Sequence, residues 1–398
     1  MVGTTGNPNS TTIIRLYGVF SIEMNSKERH EARYQRRKEK RLRRKQERNE
    51  QYGDFDKVFT FDNLYCAFKK CCRGVGWKAS TQRYKANVLQ NVNDTIRSLH
   101  NGTYKSRGFY EFDLVERGKP RHIKSVHISE RVVQRCLCDN ALVPMFSKSF
   151  IYDNGACMER KGIDFAVRRL VCHLQRHFRK HGANGYALVF DFSRYFDNIQ
   201  HEPLKEVVDK AFTDTRIARL VNGFIDDFGE VGLGLGSQIS QVSALMYPNR
   251  LDHYIKEVLH IKHYGRYMDD GYLIHDSKEH LQKCLQEIRR ICAELGIKLN
   301  AKKTQIVKLS RGLNFLKRHF ILTDTGGVII KPARKGITKM RHKLRTFKRW
   351  LDEGKMTIGD IRTSYISWKG HIKHCNAYRT TVNMDALYDK LFLEGGTQ

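Results

Sequence analysis

His263-Tyr264-Gly265-Arg266-Tyr267-Met268-Asp269-Asp270-Gly271-Tyr272-Leu273-Ile274-His275 sets two adjacent carboxylates between two stretches of strand composition. The pattern predicts a β-hairpin with Asp269-Asp270-Gly271 at its tip. Upstream, Tyr186–Phe192 (YALVFDF) reads as a buried strand from whose end the carboxylate of Asp191 emerges. Pairing that strand with the hairpin would gather three carboxylates at one sheet edge, although Asp191 and Asp269 lie 78 residues apart in sequence. Singly, Asp191 would pass for a strand-end capping residue and Asp269-Asp270 for an ordinary turn. Together, in a strongly basic chain, they point to a cation. Hard divalent ions take oxygen ligands, and two Mg²⁺ about 3.5–4 Å apart can activate a 3′-hydroxyl and stabilise a leaving pyrophosphate.

The 398 residues carry 72 Lys+Arg against 42 Asp+Glu, a net charge of +30. That excess favours nucleic acid as a partner, because each Lys or Arg on a phosphate releases condensed counterions. At 40% hydrophobic and 11% aromatic, the composition excludes wholesale disorder. A prior of about 150 residues per domain suggests two or three lobes. No run approaches the roughly 18 apolar residues of a membrane span, so no membrane partner is expected. The cysteines form no C-x-x-C knuckle and read as reduced thiols of a cytoplasmic protein.

Met1–Glu23 lacks the basic and apolar regions of a signal peptide, and Met24 is an alternative start. Lys27 to Arg48 holds twelve basic and four acidic residues with almost no apolar stripe. Any helix there is solvent-bathed until it meets RNA or another acidic partner; a merely solvated arm is the competing reading. Tyr84–Leu99 reads as an amphipathic helix, Tyr110–Leu114 as a strand, and Gly118-Lys119-Pro120 as a turn. Ser129 is the expected N-cap of a helix that runs to Pro144. Asp164–Lys180 is another helix. Asp276 with Glu279 forms a capping-box pattern before a helix closed by Gly296. Strands are expected around Ile306–Leu309, Leu313–Leu322 and Val328–Ile330, followed by a basic amphipathic helix over 335–353.

Phe190–His201 (FDFSRYFDNIQH), Tyr267–Asp270 (YMDD) and Leu299–Thr304 (LNAKKT) together resemble the successive palm motifs of a reverse transcriptase. Arg121–Lys161 resembles the finger motifs of bacterial members, with R-x-I, a V-V-Q helix, Phe150-Ile151 and Lys161-Gly162. Tyr365–Tyr378 resembles their thumb. The resemblance covers about residues 75–385. Leu235-Gly236-Ser237-Gln238-Ile239-Ser240-Gln241 departs from the Q-G-x-x-x-S-P usual in intron and retron enzymes. It resembles the form found in diversity-generating retroelements, whose enzymes copy a template RNA with frequent errors opposite adenine.

The resemblance implies an α+β right-hand polymerase: fingers, an antiparallel palm sheet and a helical thumb. Residues 1–54 would be a basic N-terminal arm that need not be ordered alone, 55–185 fingers with part of the palm, 186–332 palm, and 333–398 thumb. Asp191, Asp269, Asp270 and the Phe192 carbonyl would hold two Mg²⁺. Lys303 would act as general acid toward pyrophosphate. Phe196 would exclude a ribose 2′-hydroxyl, Arg121 and Lys124 would contact the triphosphate, and Leu235, Gly236 and Gln241 would border the nucleotide. The Phe-Leu-Gly turn of the primer grip stands here as Phe315-Leu316-Lys317. Template RNA, cDNA or primer, dNTPs and a small basic accessory protein are the implied partners. The alternatives are a phage-defence or retron-type enzyme, and a catalytically silent, maturase-like RNA-binding protein.

Overall fold

Successive side chains of a strand point to opposite faces, and in the strand Tyr186–Asp191 both faces are buried. Leu188 and Phe190 join Tyr264 and Leu273 in one core, with Leu281, Cys284, Ile288, Ile291 and Cys292 of the helix Lys278–Glu294. Ala187 and Val189 join Tyr272 and Ile274 in the other, with Ala166, Val167, Leu170 and Leu174 of the helix Ile163–His181. Helices thus cover both faces, which explains why the strand is apolar throughout and does not alternate. The sheet is antiparallel, in the order His263–Tyr267, Asp270–His275, Tyr186–Asp191, Gln305–Lys308.

This computed structural model describes residues 25–116 and 119–393, with the backbone alone at Glu116, Lys119 and Arg121. The readings of Met1–Glu23 and Met24 lie outside the described residues, as does Gly118 of the expected turn. Two further antiparallel sheets are described. One is a ribbon of Phe109–Glu116 with Lys119–Val126; the other joins Leu313–Phe315, Arg318–Leu322 and Val328–Pro332. The helices Arg334–Asp352, Ile358–Ile372 and Tyr378–Phe392 close a separate core on Met340, Leu344, Phe347, Ile361, Tyr365 and Met384. The architecture is α+β, as expected.

The chain divides into two compact units after Arg48. Beyond Asn25, the described part of the first lies within the helix Ser26–Tyr52, and it is exposed apart from half-buried Ala32 and Arg48. In the second unit Asn49 is buried, donating to the Ala211 carbonyl at 3.0 Å and accepting from the Thr213 amide at 2.9 Å.

Several local expectations shift. The helix expected over Tyr84–Leu99 is broken at Asn87 (φ −120°, ψ 38°) into Ala79–Ala86 and Val88–His100. His127, not Ser129, caps the helix Ile128–Leu137, its side chain accepting from the Ser129 amide. That helix does not stop at Pro144: it widens into a π-turn at Cys138–Leu142 and continues as Val143–Ser147. Pro144 then stands in a first helical turn, where a missing N–H costs little. Ser277, one residue after the expected Asp276, caps Lys278–Glu294 by accepting from the His280 amide. The stretch Leu313–Leu322, expected as strand, is a hairpin whose two-residue turn is Leu316-Lys317, within the Phe315-Leu316-Lys317 that stands for the primer-grip turn. Both turn residues take positive φ, +48° and +62°. The turn conformation usually supplied by glycine is therefore adopted here by two side-chain-bearing residues, a strained choice.

A histidine cluster lies between the helix Ile163–His181 and the sheet. The His263 ring stands 5.4 Å from His173 and 6.4 Å from His177. Burial, then the charges of His173 and His177, push His263 down to about 4, and burial lowers His173 and His177 as well. Between about pH 4 and 6.5 the unfolded chain therefore binds more protons than the folded one, and stability rises with pH. This contribution is complete above about pH 6.5 and is lost as pH falls toward 4. The melting temperature should drop between about pH 7 and pH 5, and drop less in His263→Gln. An equal acid loss in both proteins would remove the cluster from the account.

Candidate active site

Asp191 lies directly opposite Asp270 in the two central strands, so their side chains share a face, with Cβ atoms about 4.5–5.5 Å apart. Tyr267 pairs with Asp270 in the neighbouring hairpin, which leaves Met268 and Asp269 as its two-residue turn. The tip is therefore one residue earlier than expected. Met268 takes φ +52°, as two-residue hairpin turns require of at least one central residue. Gly271 belongs to the strand, not the bend: a Cβ there would stand 2.3 Å from the Phe190 ring. The Asp269 carbonyl accepts from the Phe192 amide at 3.0 Å, tying the turn to the end of the Asp191 strand.

Three carboxylates are thus set close together, and the protons of Asp269 and Asp270 respond. Burial, and then the neighbouring Asp269 and Asp191, push Asp270 up to about 7; burial, with Asp191 adding, raises Asp269. The nearest counter-charge is Lys303. Its Nζ lies 2.5 Å from Asp191 Oδ2; burial lowers its pKa, but this bond and the charges of Asp191, Asp270 and Asp269 together raise it. Asn300 completes the setting, its amide bonding the Asp191 carbonyl at 2.8 Å and its Nδ2 bonding Asp191 Oδ1 at 3.2 Å. Among the described residues, no group of three His, Cys, Asp or Glu side chains meets metal-site geometry. The donor set nevertheless suits a hard divalent cation: it is all-oxygen, largely buried, and under like-charge stress that a cation relieves.

The other candidate residues fall into separate places. The Phe192 side chain is buried, and half-buried Phe196 stands edge-on to Tyr195 at 5.7 Å. Leu235 runs beside Ile123 as a parallel bridge, and its carbonyl accepts from the Lys124 amide at 3.2 Å. Gly236 adopts φ +112°, and a Cβ there would press to 3.2 Å from the Lys124 carbonyl. The Lys124 ammonium donates to the Phe228 carbonyl at 3.3 Å and faces Glu111 at 3.7 Å. Gln241 is exposed on the helix Gln238–Met246. The Arg121 side chain is not among those described. Asp191, Asp269, Asp270 and Lys303 are therefore brought together, while Leu235, Gly236 and Lys124 form a second group at the ribbon.

A cleft of about 2620 Å³ opens beside the carboxylates, lined by Asp191, Asp270 and Lys303 and by Lys331, Arg334 and Lys335 among others.

The sequence reading missed the support beneath the hairpin. Arg266 and Asp252 have fully buried side chains, joined through Nε–Oδ1 at 2.8 Å and Nη2–Oδ2 at 2.7 Å. Tyr264 Oη donates to Asp252 at 2.5 Å, and Arg266 Nη1 donates to the Met268 carbonyl at 2.7 Å. A guanidinium thus grips the carbonyl immediately before Asp269. Arg266 sits within the quoted motif, but nothing local pairs it with Asp252.

An antiparallel sheet carrying carboxylates at a strand end and on the adjoining hairpin, flanked by helices, defines a palm-type polymerase fold. The family model described as reverse transcriptase (RNA-dependent DNA polymerase) matches residues 105–320, and the chain belongs to that family. No curated protein matches the sequence. Among solved structures, the chain is similar to three telomerase structures. Telomerase from Candida albicans, in complex with a TWJ fragment of telomeric RNA, aligns at 10% identity and a TM-score of 0.46, over 78% of this chain and 66% of that one. Apo telomerase from Candida tropicalis aligns at 13% and 0.44, over 77% and 64%. A form of it truncated from the C-terminal domain gives 13% and 0.44 over 56% and 54%. The chain spans between about half and two thirds of those structures.

Proposed function

We propose that this protein is an RNA-directed DNA polymerase that extends a primer along template RNA by nucleotidyl transfer. The carrying observation is the register of Asp191 against Asp270 with Asp269 in the adjoining turn, within the segment matched by the family. In this reading Asp191, Asp269, Asp270 and the Phe192 carbonyl hold two Mg²⁺, which supply Lewis-acid stabilisation of charge when bound. Lys303, already on Asp191, hands a proton to the leaving pyrophosphate. The Phe196 ring crowds a ribose 2′-hydroxyl and so selects dNTPs. Arg121 and Lys124, from the ribbon, meet the triphosphate, while Leu235, Gly236 and Gln241 border the nucleotide. The basic wall of the cleft accepts the primer–template backbone.

Primer extension on poly(rA)/oligo(dT) with Mg²⁺ tests this reading. Product that requires both the template and the divalent ion is expected. Binding without extension would favour the maturase-like alternative, in which Lys303 simply neutralises a silent site.

The finer reading is a cytoplasmic enzyme of a diversity-generating retroelement, working with a small basic accessory protein. Its support is Leu235, held by its backbone against the ribbon at Lys124. Glutamine there could hydrogen-bond near the base pair; leucine offers only apolar contact, and selection by shape is worth about 1–3 kcal/mol. Wild type should therefore misincorporate most often opposite template adenine, and Leu235→Gln should reduce those errors more than errors opposite other bases. Sequencing cDNA from both proteins on one template decides. Equal accuracy at all four bases in wild type would leave the phage-defence or retron alternative.

A further inference from the structure

The helix Ser26–Tyr52 distributes its charges unevenly around its axis. At 100° per residue, Arg29, Arg33, Arg36, Arg37, Lys40, Arg41 and Arg44 fall on one side of it. Glu28, Glu31 and Glu39 fall on the opposite side, and Glu47, at the C-terminal end of the stripe, is the one acidic residue on the basic side. From Ser26 to Glu47 every residue is exposed except half-buried Ala32. Among the described residues, none of Arg29, Arg33, Arg37, Lys40, Arg41 and Arg44 forms an ion pair with a carboxylate. Arg43, at the margin of the stripe, pairs with Glu47 at 3.2 Å, and Gln35 bonds Glu31 on the acidic side.

Asn25 and Glu28 cap each other's amides at the start of this helix, but it lacks the usual source of stability along its length. It has no apolar face to bury, and its like charges three and four positions apart repel. A polyanion laid along the stripe relieves that repulsion and releases counterions. The stripe from Arg29 to Arg44 is about 22 Å long at the rise of an α-helix, enough for several successive phosphates of one strand.

We propose that this face of the N-terminal helix is an RNA-binding surface, which takes the sugar-phosphate backbone of the template. The choice of RNA over other polyanions rests on the template-copying reading above; the surface itself rests on the one-sided charge. A contact of this kind is made to phosphates and carries no base sequence information.

The test replaces Arg33, Arg36, Arg37, Lys40 and Arg44 by Gln in the full chain, since Gln keeps helix propensity close to that of Arg and Lys. Binding of a mixed-sequence RNA oligonucleotide is measured by fluorescence anisotropy over a KCl series, with DNA of the same sequence as the second arm. Extension of a short poly(rA)/oligo(dT) duplex at saturating concentration is followed in parallel. RNA affinity should fall at least tenfold, and the slope of log K against log[salt] should flatten by about 0.7–0.9 for each phosphate that is no longer neutralised. Extension should persist, which separates this proposal from the catalytic one. An unchanged affinity and slope would overturn the surface, and a variant that loses DNA affinity while keeping wild-type RNA affinity would overturn its assignment to RNA. Loss of helix signal in the variant's far-UV circular dichroism would call for Lys at the same five positions; restored binding then supports the charge, and failure to restore it overturns the proposal.

Discussion

Asp269→Asn is expected to lower primer extension by several orders of magnitude while leaving the chain folded and able to bind RNA. The carboxylate stands in a two-residue turn rather than in either core, and asparagine is at home in turns. The substitution also removes one charge from a crowded trio, so the melting temperature should hold or rise slightly. With the proposed metals held by this trio, catalysis should have no such tolerance, since removing metal-mediated stabilisation of the transition state costs several kcal/mol. Steady-state extension, a melting curve and RNA binding on the same preparation make the comparison. Extension at the wild-type rate would sink the two-metal assignment and leave Asp269 as an ordinary turn residue.

The second large effect lies beneath that turn. Asp252→Ala leaves the Arg266 guanidinium buried without its bidentate partner, a loss of about 3–5 kcal/mol. Against a total stability of about 5–15 kcal/mol for a native protein, that is enough to shift the urea midpoint far down or to abolish soluble expression. Arg266→Lys asks a finer question. It keeps the charge, but one ammonium cannot reproduce the planar fork that spans Asp252 and the Met268 carbonyl. If Arg266 positions the turn, the Lys variant should lose kcat by up to about a hundredfold with little change in KM for dNTP. A lower urea midpoint with kcat intact would make the pair purely structural.

Much of the catalytic strand pair was legible in one dimension. Tyr186–Asp191 is an apolar run with a carboxylate at its end, and His263–His275 has strand composition on both sides of Asp269-Asp270. The helix Lys278–Glu294 announces itself by apolar residues at helical spacing and by Gly296, which takes φ +67° after it. Such features involve residues a few positions apart, where backbone geometry alone dictates which side chains share a face. The same local logic missed by one residue at Ser277 and at the Met268-Asp269 turn. Neighbouring residues there offer almost equivalent caps and bends, and tertiary packing makes the choice.

The helix break at Asn87 and the continuation through Pro144 were beyond that logic, because both depend on what the flanking segments pack against. So was the role of Gly271, whose missing side chain makes room for Phe190 on a strand far away in sequence. The chain itself specified which residues could do chemistry: three aspartates, a lysine after an asparagine, and a basic helix with no core of its own. Only the tertiary structure decided their partners. It set Asp191 opposite Asp270, closed Lys303 onto Asp191, and sank the Arg266–Asp252 pair beneath the turn. Each is a long-range pairing that depends on burial and close charge, and none exists until the sheet has brought distant segments together.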